Sequence, residues 1–327
     1  MSLDQQVEAL VRPVADTLSH VVFYPVELFG HGFPLIVLWL ASAAVFFTLY
    51  LGFVNVRGFT LGLRHVRGRF HNPRARGEIS HFQAVATAVS GTVGIGNIGG
   101  VAVAITIGGP GAALWLMVAG FLSMSTKLVE CTLGVKYRRN NPDGSVSGGP
   151  MFYLERYFAD RGAPQWGRLL GGFYATALVI GCFGIGNMFQ SNQAYVQFLV
   201  ISGGEASFFA ERGWLFGLLI AAAVALVIIG GIRSIALVAS RIVPLMAVLY
   251  VVSALVIIAL SAAQIPAAIQ LIVSSAFSMS SVTGGMVGAI VVGFQRALFS
   301  NEAGIGSASI AHSAVQTNEP ASEGLVG

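Results

Sequence analysis

Residues 87–100 read T-A-V-S-G-T-V-G-I-G-N-I-G-G and sit inside an otherwise apolar run, with Gly91, Gly94, Gly96, Gly99 and Gly100 set around Asn97. A helix of this composition is expected to break. Lipid supplies no water to a loosened backbone, so non-helical chain at bilayer depth survives only where protein buries it or where it lines a solute cavity. The stretch therefore predicts a binding site of the kind a transporter uses.

Composition sets the class around it. Of 327 residues 55% are hydrophobic and 10% charged, with 41 glycines and a mean hydropathy of +0.77. A soluble chain carries about a quarter charged residues, so a multi-spanning membrane protein is expected. The basic pI does not point to nucleic acid, because the cationic residues lie in loops between apolar runs rather than on one soluble face. Cys131 and Cys182 fall in apolar segments and read as free, small buried residues. No metal-ligand spacing occurs, the histidines (His65, His71, His81 and His312 among them) being scattered through loops and span ends. No cofactor is expected beyond a coupling ion.

Apolar runs of about 20 residues place spans near 33–54, 82–107, 112–135, 169–200, 214–232, 236–262 and 270–299, with a short re-entrant or interfacial helical segment at 302–314. Residues 1–32 form an extracytoplasmic segment with a surface helix, and 33–327 the transmembrane domain. The fourth and seventh spans exceed what a bilayer needs and are expected to tilt, protrude or break. Fifteen of the 18 basic residues, among them Arg64, Arg67, Arg138, Arg139 and Arg233, then fall on one face. That face is the cytoplasmic one by the positive-inside rule, which puts the N-terminus outside.

Span two then runs outward, and a break at Gly94 to Gly99 opposes two helix ends of different sign. The inner half ends in free carbonyls suited to Na⁺. The outer half begins with free amides at Asn97 to Gly99, suited to a carboxylate. Ser90, Thr92 and Asn97 offer side-chain oxygens. The competing reading of the glycines is close helix packing, with Gly96 and Gly100 as a small-xxx-small pair; the polar neighbours favour the break. G-I-G-N-I-G also matches a dinucleotide fingerprint, but it follows no strand and has no acidic residue about 20 positions on.

Four ordered blocks carry a resemblance: 87–112 (T-A-V-S-G-T-V-G-I-G-N-I-G-G-V-A-V-A-I-T-I-G-G-P-G-A), T-K-L-V-E-C-T-L-G-V-K-Y-R from Thr126, D-G-S-V-S-G-G-P-M-F-Y-L-E from Asp143, and R-A-L-F-S-N-E-A-G-I-G-S-A-S-I-A-H-S-A from Arg296. Over 81–327 the chain resembles the alanine or glycine:cation symporters. The resemblance implies an all-α, LeuT-like inverted-repeat fold, Na⁺ coupling, and alanine or glycine as solute. The family's members are longer, so it also implies that the later helices of the second repeat are missing and that this chain is inactive by itself. Ile95, Leu128 and Ser309 depart from the family pattern, which has threonine, tyrosine and proline there; Ile95 removes a hydroxyl beside the break.

Under this plan spans two to six form the first repeat, and span seven opens the second with a mirrored break at Ser278 to Gly285, a surface loop being the alternative. Gln190, Asn192 and Gln193 lie in span four, where uncharged amides are costly unless paired. The resemblance favours Gln190 as a solute contact, and Asn192 and Gln193 read equally as interhelical hydrogen bonds. Lys127 and Glu130, three apart, read as a structural ion pair, with a proton relay as the sharper alternative. Glu302 reads as a helix cap or a partner of Arg296, and the family match makes it, with Asn301, a gating candidate.

The expected solute set is Thr92, Gly94, Gly96, Asn97, Ile98, Gly99, Gln190 and Phe277, and the expected Na⁺ set Ser90, Thr92, Val93 and Gly94. The absence of a carboxylate from span two argues for Na⁺ over H⁺. The resulting expectation is a monomeric cell-membrane protein that carries a small neutral amino acid inward with Na⁺. A passive channel or a proton-coupled permease is the alternative, and a membrane enzyme lacks a catalytic constellation.

Overall fold

The computed structural model describes residues 3–28, 31–70, 72, 74–278 and 285–327. It is mostly helical. An N-terminal helix, α1 (Leu3–Val22), leads into a hairpin of β1 (Pro25–Leu28) and β2 (His31–Pro34), in which Val26 pairs with Phe33. The hairpin takes the first two residues expected of span one, so that span's helix, α2, covers only Leu35–Tyr50. The following loop is partly helical, with α3 (Val54–Arg57) and α4 (Phe59–Val66).

Span two is a bent pair, α5 (His81–Thr92) and α6 (Ile95–Gly108), whose axes differ by 46°. Ser80 starts α5 with a capping box, its hydroxyl accepting the Gln83 N–H while the Gln83 side chain accepts the Ser80 N–H. α7 (Gly111–Lys136) follows, then a short hairpin of β3 (Arg139–Asn140) and β4 (Val146–Ser147), and α8 (Pro150–Asp160). The fourth span starts at Pro164, earlier than 169, because proline suits the first helical turn. It comprises α9 (Pro164–Gly181), a π-helical turn over Cys182–Met188, and α10 (Phe189–Ile201). The extra length is therefore carried by a π turn in an unbroken helix. Cys182, expected to be buried, is exposed; Cys131 is buried, and both are free.

α11 (Gly213–Ile228) and α12 (Gly231–Leu260) come next, and along α12 the buried side chains are Ala236, Ala239 and Val243. A helix apolar all round yet uncovered by protein is solvated by lipid. The seventh span is two helices, α13 (Ile265–Phe277) and α14 (Gly285–Asn301); residues 279–284, which hold most of the expected second break, lie outside the described residues. The short segment expected at 302–314 narrows to α15 (Ser307–Ser313), and a further helix, α16 (Pro320–Val326), follows. Both are too short to span a bilayer.

The chain divides into two compact units. One holds Met1–Phe53, Val101–Thr126 and Gln264–Gly304; the other holds Val54–Gly100, Lys127–Ala263 and Ile305–Gly327. The first packs α7 against α13 and α14 through small residues. A Cβ on Gly111 would come 2.5 Å from the Ala276 nitrogen, and one on Gly293 2.8 Å from the Trp115 Cβ. Trp115 Nε1 donates to the Ala276 carbonyl at 3.0 Å, and its ring meets Phe277 edge-on. Thr48 on α2 is buried and donates to Ser125 Oγ at 3.0 Å. An apolar cleft of about 440 Å³ between α2 and α14 is lined by Val37, Ala41, Val45, Ile290 and Phe294 among others, and contains none of the break residues.

In the second unit α5 packs on α12 through Ala86, Ala239 and Val243. α8 and α9 form a tight helical hairpin, a Cβ on Gly171 falling 2.8 Å from the Met151 carbonyl oxygen.

Candidate functional site

α5 stops because the amides that would continue it are used elsewhere. Val93, extended at ψ 107°, still donates to the Val89 carbonyl, but the Gly94 N–H donates to Asn97 Oδ1 at 3.0 Å and the Ile95 N–H to Gln190 Oε1 at 3.4 Å. The Asn97 N–H turns to the Gly94 carbonyl. The carbonyls of Ser90, Gly91 and Val93 thereby lose their i+4 donors. The break thus falls at Val93–Gly94, and Asn97 to Gly99, expected to present free amides, lie inside α6. Asn97 occupies the third helical position and reaches back to the N-cap amide, half of a capping box. In a run of five glycines several registers are sterically open, and this side chain selects one.

Two opposed helix ends meet here. Carbonyls and the Thr92 hydroxyl, which has no hydrogen-bond partner among the described residues, mark the α5 end; the first amides of α6 mark the other. The first end carries partial negative charge and the second partial positive charge. Ser90 does not offer a free hydroxyl, because its Oγ donates to the Thr87 carbonyl at 2.7 Å.

Gln190 stands in the first turn of α10, directly after the π turn, and a Cβ on Gly94 would come 3.0 Å from its Nε2. Only glycine lets the amide of Gln190 approach so closely. Gly91, Gly96 and Gly100 have nothing within 4 Å of an added Cβ, so the small-xxx-small packing reading of Gly96 and Gly100 finds no partner helix among the described residues. Ile98 is exposed. Gln193 donates to its neighbour Asn192 at 3.2 Å on an exposed helix face, in place of the interhelical bond considered for them.

Ser90, Thr92, Val93, Gly94, Gly96, Asn97, Ile98, Gly99 and Gln190 are thus gathered at one break in the second unit. Lys127 and Glu130, both buried on α7, also belong to it. Phe277, Asn301 and Glu302 belong to the first unit: Phe277 ends α13, Asn301 ends α14, and Glu302 follows with a positive φ of 53°.

A second polar centre escaped the reading of the sequence. His81 Nδ1 and His312 Nδ1 each contact one carboxylate oxygen of Glu323, and all three side chains are buried. Beside them Arg138 donates to four carbonyls, those of Ser313, Val315, Arg76 and Thr317, at 2.7–2.8 Å. Two of the histidines, His81 and His312, converge on Glu323, and with 242 residues between His81 and Glu323 no local spacing reports such a contact. Among the described residues no group of three or more metal-binding side chains is poised to hold an ion.

The sequence profile of the sodium:alanine symporter family matches residues 16–327. A sodium/alanine symporter of Methanococcus maripaludis is 40% identical over 294 residues, covering 90% of this chain and 63% of the relative. An uncharacterized transporter of Haemophilus influenzae is 39% identical, covering 92% of this chain and 64% of the relative. A putative sodium/proton-dependent alanine carrier of Bacillus subtilis is 34% identical, covering 89% and 58%. The chain spans roughly three fifths of the length of these relatives. With a family profile running over nearly all of its length, and a glycine-rich break inside its second apolar span, this polytopic chain belongs to the sodium:alanine symporter family.

Proposed function

We propose that the protein is a secondary transporter that carries a small neutral amino acid into the cell together with Na⁺, by alternating access in a LeuT-like inverted-repeat fold with the N-terminus outside. The observation that carries this reading is the break at Val93–Gly94. Its two helix ends offer a cation site and a carboxylate site side by side, as an amino-acid–sodium pair requires.

Na⁺ would rest on the freed carbonyls of Ser90 and Gly91 with the Thr92 hydroxyl. The solute carboxylate would take the amides of Gly94 to Gly96. Asn97 Oδ1 and Gln190 Oε1 already bond to the Gly94 and Ile95 amides, so neutral acceptor oxygens stand where a carboxylate would bind. Gln190 would give way to the solute and then bond to it. The α5–α6 sequence contains no carboxylate, which supports Na⁺ rather than H⁺ at this position, with alanine or glycine as the solute.

The test is uptake of labelled alanine by proteoliposomes under an inward Na⁺ gradient, compared with K⁺ at equal strength. It is run on this chain and on the chain completed to full length with the uncovered sequence of the Methanococcus maripaludis relative. Na⁺-dependent accumulation by the extended chain is expected; accumulation indifferent to Na⁺ sinks the reading. Current without stoichiometric uptake would instead establish a channel.

A further inference from the structure

Glu323 joins two elements far apart in sequence. Its carboxylate, on α16, meets Nδ1 of His81 in the first turn of α5 and Nδ1 of His312 on α15, with side-chain exposures of 0%, 5% and 2% respectively. An ionised carboxylate only accepts hydrogen bonds. Both Nδ1 atoms therefore carry hydrogen, and any additional proton sits on an Nε2.

With both imidazoles neutral the cluster holds one buried negative charge; with one imidazolium it is neutral. Burying an uncompensated charge is costly, so the geometry favours the state with one extra proton. Charged groups on the neighbouring elements act on that balance, the guanidiniums opposing the added proton. Arg138, which lies in the field of Glu323, has its guanidinium spread over four carbonyls, and Arg76 adds positive charge beside it. From α7, Lys127 and Glu130 act on Cys131 with opposite signs and Glu323 acts on it as well; Tyr153 on α8 feels Glu130 and Cys131. From α4, His65 meets His81 edge-on at 5.4 Å, its buried Nδ1 having no hydrogen-bond partner among the described residues.

We infer that His81, His312 and Glu323 form a proton-binding site that fastens α16 to α5 and α15, the docked segment holding one proton on the imidazole pair. The state of the carboxyl agrees. Burial pushes Glu323 up, but the hydrogen bonds and charges of His312 and His81 outweigh it and hold the group below the usual carboxylate range, so the carboxyl stays an acceptor.

Imidazole ¹⁵N NMR of the full chain in micelles, labelled at histidine and assigned with His81→Asn and His312→Asn, tests this across about pH 5 to 9, where imidazole ordinarily titrates. Two coupled signals sharing one proton are expected. Over the pH range in which the docked segment keeps that proton and the released segment does not, hydrogen exchange in 320–326, corrected for intrinsic rate, should rise about tenfold per pH unit. Glu323→Gln, a neutral isostere, should leave both imidazoles uncharged at pH 7 and make the exchange independent of pH. Independent titration of the two histidines in the unmodified chain, or exchange in α16 that ignores pH, overturns the inference whether or not the variant folds.

Discussion

Asn97 Oδ1 accepts the Gly94 N–H at 3.0 Å, so the side chain three positions into α6 caps the helix from within. Loss of such a cap costs about 1 kcal/mol, too little to unfold the chain. Asn97→Ala should therefore express at close to the normal level while alanine binding, measured by calorimetry on the purified protein, drops by about tenfold or more. Equal losses of yield and binding would mean that Asn97 serves only the fold.

Gly94→Ala probes the same break from the other side. The new methyl would sit 3.0 Å from Gln190 Nε2 and 3.3 Å from its Oε1, so Gln190 must leave the Ile95 amide. Gln190→Ala removes the same bond by deletion. The two substitutions share one contact, so a double-mutant cycle on solute affinity should be non-additive by about 0.5 kcal/mol or more. Additive losses would place Gln190 outside the site.

The membrane class and the break were legible because composition and glycine placement are local signals. The register of the break was not: Gly94, Gly96, Gly99 and Gly100 tolerate several, and the choice rests on where the Asn97 and Gln190 oxygens land. The π turn at Cys182–Met188 was read only as excess length, since its hydrogen-bond shift leaves the apolar pattern intact. α4 and α8 hide in basic loops as short amphipathic pieces. Glu323 was invisible for another reason, its partners being set by tertiary packing rather than by spacing.

The first unit supplies a prediction about packing. A Cβ at Gly293 would lie 2.8 Å from the Trp115 Cβ, 2.9 Å from the Ala112 carbonyl oxygen and 3.0 Å from the Leu116 nitrogen. Two of these are backbone atoms and cannot rotate away. Gly293→Val should force α14 off α7 at a cost of about 1–3 kcal/mol. Thermal unfolding in detergent should show a lower midpoint, with Trp115 fluorescence reporting the loosened contact with Phe277. An unchanged midpoint would mean that the two helices are not packed as described.

Acid should release α16, and the sign follows from Glu323. Its carboxyl is held below the ordinary value in the folded chain by His312 and His81, against the opposing effect of burial. A depressed carboxyl contributes stability that is fully present above the unfolded value of about 4.3 and is lost as pH falls through the lower folded value. Protonation turns an acceptor oxygen into a donor that faces two N–H groups, and removes the negative charge that holds them. Hydrogen exchange in 320–326 should stay slow from neutrality down to the ordinary carboxylate range and quicken only below it. In Glu323→Gln this acid step should vanish. An acid step that persists in the variant would assign the loss of docking to another carboxylate, with Glu78, which pairs with Arg233 at 3.3 Å in the same unit, the next group to replace.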